Sequence, residues 1–220
     1  MIARQLISDV IPPLKHTDTG VTALRWMEEF KVSHLPVMKN NNFVGVVSET
    51  AILDQQNLEK SLDELFDHLP RPYVLEDAHI YEVLNRISEH HISVVPILAQ
   101  DETYLGCTSI HELGHLIANT TSIKEAGGIL VLEVNQSDYS LAQIAQIVES
   151  NNARILSSYL MSSPDSTKLE VTLKINQFEL DRIIRTFERY DYTIRASFQR
   201  SSFKEDLKWR YDALINYLNM

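Results

Sequence analysis

Apolar positions recur along this chain at two spacings, and the switches between them outline its elements. Val21, Leu24, Met27 and Phe30 fall three apart, as one face of a helix requires. Thr17, Asp18 and Thr19 stand before them with side-chain oxygens suited to an N-cap. Compact apolar runs then predict strands over 34–38 and 43–47, followed by a short helix over 49–54. Upstream, Ala3 to Ser8 reads as a short helix or lead-in, and the prolines of Ile11-Pro12-Pro13-Leu14 disfavour helix. Leu62, Leu65 and Phe66 predict a connecting helix, broken at Pro70 and Pro72. The cycle then restarts. Tyr73 to Leu75 is extended and Asp77 is placed to cap. Ile80, Val83, Leu84 and Ile87 form an amphipathic face, and strands over 94–98 and 104–108 lead into a helix over 110–117.

The restart is a repeat. Val32-Ser33-His34-Leu35-Pro36-Val37 matches Ile92-Ser93-Val94-Val95-Pro96-Ile97, and Val44-Gly45-Val46-Val47-Ser48 matches Leu105-Gly106-Cys107-Thr108-Ser109. The interval is about sixty residues, long enough for one supersecondary unit that cannot bury its apolar face alone. The two copies are therefore expected to pack as one pseudo-symmetric body. In each, a strand carrying Pro precedes a strand with Gly second and a hydroxyl residue last, and a helix opens directly after it. In this ordered pattern the two copies resemble a tandem pair of CBS (cystathionine β-synthase) domains over residues 1 to about 120, with Thr108 a mild departure at an apolar position.

A different pattern follows Ala126-Gly127-Gly128, where paired glycines punctuate the chain. Ile129 to Val134 predicts a strand. Ser137 or Asp138 can cap a helix with Leu141, Ile144, Ala145 and Val148 on one face, and Ile155 to Met161 predicts a second strand. After a turn at Ser162-Ser163-Pro164-Asp165, strict alternation from Leu169 to Ile175 marks a half-buried strand. Leu180, Ile183, Ile184 and Phe187 predict a helix, and Tyr192, Ile194, Ala196 and Phe198 a last strand. This β-α-β-β-α-β order is that of the ferredoxin-like fold. Behind a CBS pair it looks like an ACT domain, a class that commonly binds amino acids. Phe203, Leu207, Tyr211, Leu214, Ile215 and Leu218 then predict a closing amphipathic helix.

Charge narrows the function classes. The net charge is −10, and residues 1–125 hold nine Lys and Arg against eighteen Asp and Glu. So acidic a first half argues against nucleic acid as a partner and makes a phosphate-bearing ligand costly without local basic groups. No stretch approaches a membrane span, and the first residues carry no leader pattern. Cys107 is the sole cysteine, so an intramolecular disulfide is impossible, and a cytoplasmic setting is expected.

The chemistry-bearing residues are few. His111-Glu112-Leu113-Gly114-His115 spells H-E-x-x-H, which on a helix sets two imidazoles toward zinc beside a general base. Yet these residues occupy the place of Thr50 to Asp54 in copy one, and no histidine follows His115. Only a Glu such as Glu125 or Glu133 is left as a third ligand. The segment reads as a decoy, no metal is expected, and a metal-dependent hydrolase using His111 and His115 is the remote alternative. His90-His91 suits a helix C-terminus.

Other candidates follow from the CBS resemblance. It implies an adenosine cleft in which a Ser or Thr after the second strand helps hold phosphates and an Asp three residues later grips the ribose hydroxyls. Copy one has Ser48 but Ala51. Copy two has Ser109 and Glu112, so it is the better candidate. The basic residue often seen beside them is replaced by Thr50 and His111. The ligand set expected is Ser109, Glu112, Ser93, Ser48 and His34, for AMP, ADP, ATP or S-adenosylmethionine. In the ACT-like half, the loop Asn135 to Tyr139 lacks the Gly usual to the family's ligand loop, and Asp138 repels a carboxylate, so a structural or dimerising role is expected.

The sequence thus predicts an α/β (α+β) chain: CBS repeats at 1–58 and 59–122, a ferredoxin-like domain at 127–200 and a helix at 201–220. This order is similar to that of acetoin-utilisation-type CBS–ACT proteins. The function expected is non-catalytic regulation by a small ligand that alters domain or subunit packing toward an unknown protein target. CBS pairs usually associate through their helices, which implies a homodimer. The alternative is a ligand-free dimeric scaffold.

Overall fold

The computed structural model describes all residues except 56, 64–68, 121, 163–166 and 199–220, and all their side chains except that of Thr120. Leu65 and Phe66 of the connecting helix, part of the 162–165 turn and the closing helix from Phe203 lie outside the described residues. The chain divides into two units, residues 1–117 and 118–220.

The first unit contains the repeat. Copy one runs β1 (Leu14–Lys15), α1 (Gly20–Phe30), β2 (His34–Lys39), β3 (Asn42–Ser48) and α2 (Glu49–Leu53). Copy two runs β4 (Val74–Leu75), α3 (Ile80–His90), β5 (Val94–Leu98), β6 (Tyr104–Ser109) and α4 (Ile110–Thr120), whose end passes into the second unit. Each forms a three-stranded sheet, β1-β2-β3 and β4-β5-β6, with a parallel pair first and an antiparallel pair second. The correspondence extends to irregularities. The register shifts after Val37 in one copy and after Ile97 in the other, and α1 and α3 both end on a left-handed residue, Lys31 and His91. Pro36 and Pro96 are tolerated because β1 and β4 pair only with the residues after them, so the missing N–H leaves no ladder position empty there.

In the first unit, caps followed local chemistry with one correction. Thr19 caps α1, its Oγ1 accepting from the Thr22 N–H at 3.3 Å. Asp77 does not cap α3. His79 does, through Nδ1 accepting from the Tyr81 N–H at 3.3 Å, and Asp77 instead accepts from Gln100. The helix begins too late for Asp77 to reach its free amides.

The lead-in of each copy packs on the other copy. Ala3 and Leu6, in a 3-10 turn over Ala3–Leu6, join the core of Val74, Val83, Val95 and Ile97, while Leu62 joins that of Leu14, Leu35 and Ile52. The Ser8 N–H donates to the Cys107 carbonyl at 2.9 Å, and in the mirrored place the Val46 N–H donates to the Pro70 carbonyl at 2.9 Å. Gly106 adopts φ +149°, and a Cβ there would come within 2.6 Å of Ile7 Cγ2. The exchange of lead-ins explains physically why one copy alone leaves its core open.

The second unit runs β7 (Gly128–Asn135), α5 (Leu141–Ser150), β8 (Ile155–Ser162), β9 (Lys168–Ile175), α6 (Asp181–Arg189) and β10 (Thr193–Phe198). Its sheet is antiparallel throughout in the order β10-β7-β9-β8, the ferredoxin-like arrangement that the element order predicts. Leu130, Leu132, Ile144, Leu173 and Phe187 are fully buried in its core. Gly127, at φ +149°, passes so close to β9 that a Cβ would meet the Ile175 carbonyl oxygen. The α5 cap is Ser140, not Ser137 or Asp138, because Gln136–Asp138 form a 3-10 turn before the helix starts.

Candidate ligand clefts

The β6–α4 junction brings Ser109 and Glu112 together. Ser109 ends β6 nearly buried, and its Oγ accepts from the Glu112 N–H at 3.3 Å. The Glu112 carboxylate reaches back. Its Oε2 accepts from the Ser109 N–H at 3.1 Å and from the hydroxyls of Ser109 and Thr108 at 3.4 Å each. This is a reciprocal capping box, the pattern a Ser followed three residues later by Glu produces. Glu112 Oε1 makes no hydrogen bond among the described residues. Glu112 also lines a cavity of about 240 Å³ with Ile7, Ser8, Thr108, Leu113 and Leu116, and among that cavity's lining residues it alone is charged.

The copy-one cleft has different chemistry. A second cavity of about 240 Å³ is lined by His34, Ser48, Ala51, Leu69, Pro70 and His90 among others. Ser48 Oγ accepts from the Ala51 N–H at 3.1 Å and caps α2 alone, with no carboxylate to answer it. His34 and Ser93 meet where the two copies join. The Ser93 N–H donates to His34 Nδ1 at 3.3 Å, and the Ser33 N–H donates to Ser93 Oγ at 3.0 Å. Accepting at Nδ1 leaves the imidazole proton on Nε2, and burial lowers the His34 pKa from its ordinary value. Ser93 itself lines neither cleft; it borders a separate, more open cavity of about 740 Å³ beside Arg25, Glu28, Ser33 and Glu49, away from Glu112.

His111 and His115 both lie exposed on α4. Glu112, the would-be general base between them, is turned to its own helix start. Among the described residues no group of three or more His, Cys, Asp or Glu side chains is placed to hold a metal ion. His90 ends α3 and His91 is its left-handed cap. Cys107 is fully buried; burial pushes its thiol up to about 11, and it donates to the Ile11 carbonyl at 3.7 Å.

In the second unit a cavity of about 380 Å³ lies by the loop after β7, bounded by Glu133, Asn135, Asp138, Gln143 and Tyr192. Hydrogen bonds from Asn135 Nδ2 at 2.8 Å and Ser137 Oγ at 2.9 Å hold the Asp138 carboxyl below its usual range, so the loop presents a negative charge.

Sequence reasoning missed the lead-in residues Ile7 and Ser8 of the copy-two cleft, about a hundred positions from Glu112. The repeat held the only signal. Pro70 stands before copy two as Ser8 stands before copy one.

Residues 3–57 match the family model for the CBS domain. That match falls on the first repeat, and the second repeat reproduces the first's sheet order, register shift and left-handed helix end. Among solved structures the chain is similar to a CBS domain pair/ACT domain protein from Thermotoga maritima, at 24% identity over 54% of this chain and 98% of that one, TM-score 0.48. It is also similar to a protein assigned to acetoin utilization in Vibrio cholerae, at 22% identity over 54% and 91%, TM-score 0.48. A third is the CBS domain of a bacterial CNNM/CorC family Mg2+ transporter in complex with ATP, at 15% identity over 54% and 87%, TM-score 0.44. No helix among the described residues is long and apolar enough to cross a membrane.

Proposed function

We propose that this protein is a non-catalytic cytoplasmic regulator whose CBS pair, 1–58 with 59–122, binds an adenosine-type ligand in the copy-two cleft. The carrying observation is Glu112, a carboxylate at the resemblance's ribose-gripping position that lines a cavity and keeps Oε1 free of hydrogen bonds among the described residues. Ligand occupancy then biases domain or subunit packing toward a protein target, by the difference in affinity for the two states. In this reading the chain works as a homodimer, with the ferredoxin-like unit, 127–200, serving as an ACT-like dimerising module and 201–220 as a closing helix. The lone charge of the cavity is negative and residues 1–125 are strongly acidic. That balance favours a ligand of low or positive charge, such as S-adenosylmethionine with its sulfonium, over AMP, ADP or ATP.

Calorimetric and thermal-shift titrations with S-adenosylmethionine, AMP, ADP and ATP test this. A ligand that binds only the folded state raises the melting temperature by mass action. Glu112→Gln is the informative variant, because an amide keeps the capping geometry while removing the charge. Saturable binding by the wild type that Glu112→Gln weakens at least tenfold supports the reading; no binding by any of the four overturns it. A second reading, a ligand-free scaffold, is favoured by cavity size. Each cleft holds about 240 Å³, below the roughly 300 Å³ at which ligand pockets begin, so a ligand has to displace lining side chains.

A further inference from the structure

The hydrogen bonds that join the two copies break the symmetry of the repeat. Ser33-His34 in copy one corresponds to Ser93-Val94 in copy two, so only one side of the join carries an imidazole. The Ser33 N–H donates to Ser93 Oγ at 3.0 Å, and the Ser93 N–H donates to His34 Nδ1 at 3.3 Å. Two hydroxyls crowd the same ring nitrogen, Ser33 Oγ at 3.0 Å and Ser93 Oγ at 3.3 Å.

These neighbours respond differently to a proton on Nδ1. A hydroxyl rotates, so it accepts from an imidazolium N–H as readily as it donates to a neutral ring. The Ser93 N–H is fixed by the backbone and cannot turn. Protonated His34 therefore sets donor against donor at this bond and leaves the Ser93 N–H without its acceptor. The Ser93 carbonyl in turn accepts from the Ile110 N–H at 3.0 Å, which ties this residue to the first turn of α4.

Little around His34 offsets a positive charge. Among the described residues lining its cavity, only His90 is also titratable; β3 presents Ser48, α2 Ala51 and the lead-in to copy two Pro70, and none of the rest is charged. His90, at the end of α3, has Nε2 3.9 Å from the Glu89 carboxylate, which favours a cation on His90 and so opposes a second one on His34. On the other side, Ser33 and Ser93 border the open cavity whose charged groups are Arg25, Glu28, Lys31 and Glu49, two of each sign. Burial also disfavours the His34 cation, so the ring takes up its proton only below its ordinary 6.5.

We propose that His34 is a proton-operated latch between the two copies: protonating Nδ1 releases the Ser93 amide and loosens the join at the start of α4. The latch is shut at pH 7 and opens on acidification, independent of what the CBS clefts bind.

Amide exchange in the full chain, followed by NMR and expressed as protection relative to an unstructured peptide at the same pH, reads the latch. From pH 7.5 to pH 5 the protection of Ser93 should fall at least tenfold and that of Ile110 should fall with it. Glu76, whose N–H donates to the Leu98 carbonyl at 2.8 Å at the other end of β5, should stay within threefold. His34→Asn keeps a side-chain acceptor that does not titrate, and should hold Ser93 within threefold over the same range. His90→Gln should leave the fall in place. Ring-nitrogen shifts of the wild type add a check that needs no variant, since at pH 7.5 His34 should carry its proton on Nε2. A proton on Nδ1 at that pH, no fall at Ser93 by pH 5, an equal fall at Glu76, or the same fall in His34→Asn overturns the proposal.

Discussion

Glu112 both caps α4 and lines the copy-two cavity, and its stability role can be measured at one amide. Replacing it by Ala removes the acceptor shared by the Ser109 N–H, the Ser109 hydroxyl and the Thr108 hydroxyl. Those donors sit on residues 4% and 0% exposed, so water replaces the lost acceptor poorly. An unsatisfied buried donor costs about 1–3 kcal/mol, and a lost cap typically about 1 kcal/mol. We take about 1–2 kcal/mol for the local opening of the β6–α4 junction, a factor of roughly 5–30 in its equilibrium. Because a chain of two units need not unfold in one step, the assay is hydrogen exchange of the Ser109 amide followed by NMR. Glu112→Ala should speed that exchange by this factor, and Glu112→Gln, which keeps an acceptor oxygen, should restore most of the protection. Exchange within twofold of wild type in Glu112→Ala, or Gln no better than Ala, refutes the capping argument.

Three further outcomes are expected. Burial holds the His34 pKa below its ordinary 6.5, so the unfolded chain takes up that proton first as pH falls. The stability His34 provides is therefore complete above about pH 6.5, is lost between that value and its lower folded pKa, and is flat below; His34→Asn should flatten the melting-temperature profile from pH 8 to 5, and an unchanged slope counts against the burial assignment. Phe187 is fully buried with its ring 5.4 Å from that of Tyr192, so Phe187→Ala should destabilise the second unit by about 3–5 kcal/mol, seen in near-ultraviolet circular dichroism melts, and a loss under about 1 kcal/mol contradicts this core placement. Ala51→Asp restores a carboxylate beside Ser48 in a cavity of about 240 Å³, and should raise the affinity of the copy-one cleft for adenosine at least tenfold by calorimetry; no gain means that cleft lacks more than its carboxylate.

The sequence made the fold legible wherever packing obeys local periodicity. Ile80, Val83 and Ile87 define α3, and the alternation from Leu169 to Ile175 defines β9, because in both the buried face is set by side-chain spacing alone. The repeat carried the pairing of β2 with β3 and β5 with β6. What stayed hidden depends on distance along the chain. Nothing near Ala3 or Leu6 says that they complete the core of copy two, and nothing near Ser93 says that its amide meets His34 across the join between copies. Caps were missed by a few residues, at Asp77 and at Ser137 or Asp138, because a turn residue can accept locally without starting a helix.

The candidate site shows a sharper limit. The CBS resemblance implies a ribose acceptor at Glu112 and the H-E-x-x-H spacing a general base, and only coordinates show Oε2 already accepting from the Ser109 N–H. A ribose diol gripped by both carboxylate oxygens has to displace that bond, at a net cost of about 0.5–1.5 kcal/mol, or roughly two- to twelvefold in affinity at 1.4 kcal/mol per decade. A ligand held through Oε1 alone leaves the cap intact and pays nothing there, but loses the second hydroxyl's bond. The two modes separate at the same amide. Saturating ligand that speeds Ser109 exchange means the cap was broken to bind. Slowed exchange with saturable binding means one-oxygen recognition, in which the longer Glu side chain keeps α4 capped while it binds.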